Sequence, residues 1–212
     1  MDIANAKRSW LIPALGLTQI VGWGSMFYAY GVLMQPMESE LQTSRSVVVG
    51  AYSIALLISG CLSTLAGAII DRIGGRLLMG AGTLLAAAML VLLSNVQSIL
   101  ELYLAWAGIG IAMSATLYQS SFAVLTQVFG TGYRRAITAL TLFGGFASTV
   151  FWPLTQALSD HVGWRETWLI YAALNLLICF PIHAFLPKLI SSAEPSANME
   201  TVSYTHLRAH ET

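Results

Sequence analysis

Four residues in one short joint, Asp71, Arg72, Gly74 and Arg76, have types and spacing that could do chemistry in this chain. A carboxylate beside a guanidinium, followed by a glycine and a second guanidinium, can make a contact in one conformation and break it in another, with a helix end or an arginine as partner. That is the chemistry of a switch, not of bond cleavage. The plain alternative is a charged anchor that fixes which side of a membrane the joint occupies. Gly74 suits a tight reversal between two helices in either case.

A second set of residues could hold a small molecule. Gln19, Trp23, Tyr28 and Tyr30 come early, Tyr52 follows, then Tyr118 and Gln119, then Phe143 and Phe146. Aromatic rings can stack on a planar organic anion and tyrosine hydroxyls can donate to it, while its charge needs a cation from elsewhere. Packing or interface anchoring is the competing role for each ring. There is no nucleophile–base pair, metal-ligand cluster or phosphate-cradling loop, so neither an enzyme, a metal nor a cofactor is expected. His206 and His210 are four apart, which is read as chance. Cys61 and Cys179 both fall in apolar stretches and are expected to be packed thiols, not a disulfide.

The elements that must position these residues are membrane helices. With 56% hydrophobic residues, 9% charged residues and a mean hydropathy of +0.69, the chain lacks the polar surface of a soluble globule. A bilayer core about 30 Å thick takes roughly 20 apolar residues of helix. Charge-free windows run from Trp10 to Met34, Val47 to Ile70, Leu77 to Leu93, Leu102 to Phe129, Ala136 to Ser159 and Thr167 to Leu186. They predict an all-α membrane protein of six transmembrane helices, with the lipid bilayer as solvent. No sustained period of two supports a barrel. Lys7 and Arg8 precede the first window, whose length and lack of a small-residue cleavage site argue for an uncleaved span and not a signal peptide.

Lys7, Arg8, Arg72, Arg76, Arg134, Arg135 and Lys188 fall on one side of such a bundle, against Arg45 and Arg165 on the other. Positive residues stay in the cytoplasm, so both termini are expected there. A net charge of zero gives no reason to expect a nucleic-acid partner. Within the windows no Asp, Glu, Lys or Arg occurs; Glu101 and His183 stand at window edges and are expected to reach the interface. The joint pattern Asp-x-x-Gly-x-Arg returns at Asp160, Gly163 and Arg165 after the fifth window. One copy lies inside and the other outside, which predicts two three-helix units in a 3+3 inverted repeat. Glycines such as Gly16, Gly22, Gly24, Gly108, Gly110, Gly144 and Gly145 allow close helix packing, and Pro153 is a candidate bend.

The stretch Gly67-Ala68-Ile69-Ile70-Asp71-Arg72-Ile73-Gly74-Gly75-Arg76 resembles the loop 2-3 signature of the major facilitator superfamily and sits where that signature belongs. Gly31-Val32-Leu33, Glu40-Leu41, Tyr118, Val128-Phe129, Tyr133-Arg134-Arg135-Ala136 and Gly163-Trp164-Arg165 are similar to the bacterial branch related to monocarboxylate and oxalate/formate transporters. The likeness covers residues 10 to 188. It implies the N-terminal half of a facilitator fold, a conformational switch at Gly67, Asp71, Arg72, Gly74 and Arg76, and a small-molecule substrate, a carboxylate among the candidates. It also implies that the first and fourth windows line a cavity, which singles out Tyr28 and Tyr118, and that the basic substrate-binding residues lie in a second six-helix half. Trp106 to Ala112 contains no arginine, and Gly144-Gly145 stands apart from Trp152-Pro153, which moves the chain away from drug exporters and sugar porters.

The resemblance further implies a bacterial inner membrane as the location and a partner, either the missing C-terminal half or a second copy of the chain. Residues 1–189 are expected to form the bundle. Residues 190–212 read as a polar tail, disordered and not native to the gene. Alternating-access transport is the expected function; a dimer of six-helix chains, an exporter of other solutes and a membrane receptor are the alternatives.

Overall fold

Apolar windows without charge satisfy their backbone only by helix, and helix is what forms. The computed structural model describes residues 10–187; Lys7, Arg8, Lys188, His206, His210 and the tail lie outside the described residues. No strand occurs among the described residues. Helix α1 (Leu11–Trp23) passes through a π turn (Gly24–Tyr28) into α2 (Ala29–Glu40). Helices α3 (Arg45–Ile73) and α4 (Gly75–Ser94) follow. Next come α5 (Ile99–Thr116) and α6 (Tyr118–Phe129), then, after a 3-10 turn at Gly130–Gly132, α7 (Tyr133–Gly145) and α8 (Ala147–Val162). Helix α9 (Trp164–Leu174) continues through a second π turn (Asn175–Cys179) into α10 (Phe180–Ala184).

Four stretches among the described residues are long and apolar enough to cross a membrane: Arg45–Ile73, Gly75–Ser94, Ile99–Val162 and Trp164–Ala184. The fourth and fifth sequence windows both fall within Ile99–Val162. A straight helix of its 64 residues would run about 96 Å, three bilayer cores. It turns back at Gly130–Gly132, where α6 and α7 pack on each other. The stretch from Leu11 to Glu40 is not among the four.

The joints behave as their glycines require. Gly74 has φ +84° and ψ +155°, and Gly163 has φ +92° and ψ +168°, so both copies of Asp-x-x-Gly-x-Arg turn through the same backbone shape. A side chain is strained there, and glycine is not. Two apolar cores then fill the bundle. One gathers Met37, Val48, Leu93, Val96, Trp106, Trp164 and Trp168; the other gathers Leu11, Leu15, Ile70, Met79, Leu125 and Leu140. Val48 and Ile70 belong to opposite ends of α3, so the Asp71 joint and the Arg165 joint sit at opposite ends of the bundle. Helices α3 and α5 approach closely at Gly110, where an added Cβ would lie 2.5 Å from the Ala55 carbonyl oxygen. Only 17% of the apolar window of α3 is buried within the protein, so this helix faces outward along most of its length.

Candidate functional site

The chain places a break inside the fourth apolar window, and the candidate ligand residues gather around it. Leu117 takes an extended backbone, φ −81° and ψ −160°, which ends α5 at Thr116 and restarts the helix at Tyr118. Gln19 of α1 is fully buried and its Nε2 donates to Thr116 O at 3.0 Å and to Ser121 Oγ at 2.9 Å. The Thr116 carbonyl can only accept, so the amide orientation is fixed. Ser120 Oγ donates to Ser114 O at 2.8 Å, satisfying a second carbonyl freed by the break. One turn along α1 from Gln19, the Trp23 ring lies 5.1 Å from Tyr118, which stacks on Phe122 at 5.3 Å. Tyr118 Oη donates to Thr141 O of α7 at 3.3 Å, and Gly144 lies against that ring.

A second aromatic group lies further along. Tyr30 and Tyr52 stack at 3.9 Å with an interplanar angle of 5°, both edge-on to Trp106. Phe27 joins the groups: its ring is 5.2 Å from Trp23, 5.1 Å from Tyr28 and 6.0 Å from Tyr52, and its carbonyl accepts from Tyr52 Oη at 3.5 Å. Of the sequence candidates, then, Trp23 and Tyr118 meet directly, Gln19 bonds Thr116 and Ser121 on either side of Tyr118, and Tyr28, Tyr30 and Tyr52 connect to the rings through Phe27. Phe143 packs under Gly16, Phe146 is exposed, and Gln119 is exposed at the start of α6. Sequence reasoning missed Phe27, Trp106, Thr116, Ser120 and Ser121, although it singled out Tyr118 and Gln119 between them. The clustered Ser114, Thr116, Ser120 and Ser121 in an apolar window were the available signal.

At the switch joint, Asp71 Oδ1 accepts from Gln127 Nε2 at 3.0 Å, and the same amide reaches Ile70 O at 3.4 Å. Its partner is therefore an amide at the end of α6, in place of the arginine or helix N-terminus expected. Arg72 is exposed, Arg76 is half-buried, and Gly67 has open space where a Cβ would stand.

The opposite end carries the one salt bridge among the described residues. Arg165 Nε meets Glu40 Oε1 at 2.8 Å, while its two terminal nitrogens donate to Ser94 O at 2.7 Å and Val96 O at 2.8 Å. Trp164 Nε1 donates to Glu40 Oε2 at 2.6 Å. One guanidinium thus ties the ends of α2, α4 and α9. Arg165 and then Trp164 hold the Glu40 carboxyl below its ordinary range. Beside it, an open cavity of about 870 Å³ is lined by Gln35, Glu38, Gln42, Arg45, Trp152 and Gln156, among others.

Two edge residues behave differently from one another. Glu101 accepts from the backbone of Gln97 and Ser98 and completes a capping box for α5, as an interfacial residue would. His183 is 1% exposed, with Nδ1 2.6 Å from Thr83 Oγ1. It packs against α4 and does not reach water. Cys179 is buried as expected, but Cys61 is exposed on the outward face of α3. Among the described residues no cluster of three metal-ligating side chains occurs.

Comparison with known proteins finds the chain similar to transporters. Residues 15–208 match the family Major Facilitator Superfamily, a match that continues past Leu189 into the polar tail. An uncharacterized MFS-type transporter, YcxA of Bacillus subtilis (strain 168), is 24% identical over 95% of this chain and 49% of its own length. Monocarboxylate transporter 3 of Rattus norvegicus is 31% identical over 72% of this chain and 32% of its own length. Monocarboxylate transporter 7 of Homo sapiens is 29% identical over 70% of this chain and 28% of its own length. The chain thus spans about half the length of the first of these relatives and about a third of the other two.

Proposed function

Because this chain belongs to the major facilitator superfamily, we propose that it forms part of a secondary transporter that moves a small organic anion, such as a monocarboxylate, across a membrane by alternating access. The observation that carries this is the gathering of Gln19, Trp23 and Tyr118 around a helix break inside an apolar window. Interrupted helices in secondary transporters gather substrate and ion groups at mid-depth. The names of the two monocarboxylate relatives support the substrate class.

In this reading residues 1–189 form six transmembrane helices as a 3+3 inverted repeat, and residues 190–212 take no part in transport. The matching backbone at Gly74 and Gly163 supports the repeat. Both termini face the cytoplasm of a bacterium and the bundle lies in the inner membrane. The outward face of α3 packs on a second six-helix unit, either a C-terminal half or another copy of this chain. Asp71, Arg72, Gly74, Arg76 and Gly67 form the switch, with the Asp71–Gln127 bond as its closed contact.

Uptake of radiolabelled acetate into vesicles that hold this chain together with its second six-helix unit, with and without Asp71→Ala, which removes the bond to Gln127, and Arg72→Gln, tests the reading. Saturable uptake lost in both variants supports it. Saturable uptake unaffected by either variant reduces the joint to an anchor, and no uptake above empty vesicles overturns the carboxylate reading.

A further inference from the structure

The first turn of α7 holds charge that the protein leaves without a counterpart. After the 3-10 turn at Gly130–Gly132, α7 opens on Tyr133, Arg134 and Arg135, with no acidic residue in its first turn. A helix start is positive through its dipole, so two guanidiniums there oppose the dipole and each other unless an anion joins them. Both arginines are exposed, and neither guanidinium makes an ion pair or a hydrogen bond among the described residues. They line an open groove of about 650 Å³ together with Thr138, Ala139, Thr141 and Leu142. Thr138 Oγ1 donates to Arg134 O at 3.0 Å and Thr141 Oγ1 to Thr138 O at 2.9 Å, which leaves the arginines as the donors of the groove. Gln127, just before the 3-10 turn, bonds Asp71, so the groove lies at the Asp71 end of the bundle.

The groove runs on as an apolar stripe. Arg135, Thr138, Leu142 and Phe146 recur at helical spacing, and Leu142 and Phe146 are exposed, whereas Ala136, Leu140 and Gly144 on the other side of the helix are buried in the protein. From Arg135 to Phe146 the rise is roughly 16 Å at about 1.5 Å per residue, about half of a bilayer core and so the depth of one leaflet. A cationic head above an uncharged stripe one leaflet long matches a phospholipid with an anionic headgroup. A soluble anion engages the guanidiniums alone, and an exposed ion pair of that kind contributes little in water. An acidic protein segment answers the charge and gives no reason for the apolar stripe to start within two turns of it.

We propose that the groove at the start of α7 is a binding site for one anionic phospholipid of the leaflet on the Asp71 side. Arg134 and Arg135 share the phosphate, and an acyl chain lies over Leu142 and Phe146. The lipid supplies the negative charge that the first turn of α7 lacks and anchors that end of the helix to its leaflet. The site is independent of the solute carried, since it uses only the groove and the membrane around it.

The test is native mass spectrometry of the purified full chain released from detergent with phosphatidylglycerol or phosphatidylcholine of identical acyl chains, scoring the fraction that retains one lipid. Phosphatidylglycerol held about thirtyfold more tightly at low salt, with the preference shrinking as ammonium acetate rises from about 0.05 to about 0.5 M, is the expected result. Arg134→Gln combined with Arg135→Gln removes the preference and leaves phosphatidylcholine retention within about twofold, while Leu142→Asn weakens both lipids alike. Arg72→Gln, at an exposed arginine of the same end, keeps the preference. If the double variant misfolds, the salt series on the unaltered chain carries the test, and a preference indifferent to salt overturns the site. A preference that survives the double variant, or that falls equally in Arg72→Gln, overturns it as well. Chainless glycerophosphoglycerol bound as tightly as the lipid makes the groove a soluble-anion site, and loss of the lipid when the chain is joined to its second six-helix unit gives the groove to that interface; either result overturns the lipid assignment.

Discussion

Asn175 Nδ2 donates to Ser25 Oγ at 2.9 Å, joining two π turns, Gly24–Tyr28 and Asn175–Cys179, across 150 residues of chain. Both residues are buried, and each also bonds its own helix, Ser25 to Val21 O and Asn175 to Tyr171 O. Pairing two irregular turns through one bond lets each brace the other. π turns often mark functional positions in helices.

Removing either partner therefore weakens the bundle. Asn175→Leu or Ser25→Ala lowers stability by about 0.5–2 kcal/mol, the range for side-chain hydrogen bonds between membrane helices. A double-mutant cycle in detergent should give a coupling within that range; additive losses rule the brace out.

The Glu40 contact makes stability depend on acid. Glu40 is held below its ordinary value of 4.5, with the Arg165 hydrogen bond first among the causes and the Trp164 bond second. A depressed carboxylate contributes in full above the unfolded value and loses that contribution as pH falls through the folded one. Thermal unfolding of the wild type should show a loss on acidification below pH 4.5 that Glu40→Gln lacks. The site is half-exposed, so the effect is modest and shrinks in salt.

The two joints share one sensitivity. At Gly74, φ +84°, and Gly163, φ +92°, alanine costs about 1–3 kcal/mol each through backbone strain. Equal losses in Gly74→Ala and Gly163→Ala are expected from chemical or thermal unfolding. A loss at only one joint contradicts their equivalence.

Close approach separates two other glycines. Gly110→Val pushes a side chain into the Ala55 backbone and costs roughly 1–3 kcal/mol or more, whereas Gly145→Ala meets nothing within 4 Å and is neutral. Unfolding midpoints of the two variants measure the contrast directly.

At Asp71 charge and hydrogen bond can be parted. Asp71→Asn keeps an oxygen to accept from Gln127 Nε2 and should leave stability within about 0.5 kcal/mol, while Asp71→Ala removes the bond and loosens the end of α6, losing about 0.5–1.5 kcal/mol. Equal destabilisation by both variants refutes the separation.

By itself the sequence determined the class and the joints. Apolar windows without charge must be helical where water is absent, and glycine at positions 74 and 163 follows from the need to reverse in one residue. It also found Gln19, Trp23 and Tyr118 as a list, without showing that they gather around one break. Tertiary structure decided which side chains come together: Gln19 with Thr116 across 97 residues, Arg165 with Glu40 across 125, Asn175 with Ser25 across 150, and His183 turned inward on Thr83. In a soluble helix, polar and apolar faces reveal the inward side. Where lipid is the solvent every face is apolar, so the rotation of each helix about its axis is set by small-residue contacts and a few polar bonds with distant segments. The Leu117 break has the same origin in part: Ser120 satisfies one freed carbonyl locally, but the other is met by Gln19, 97 residues away, which nothing near Leu117 announces.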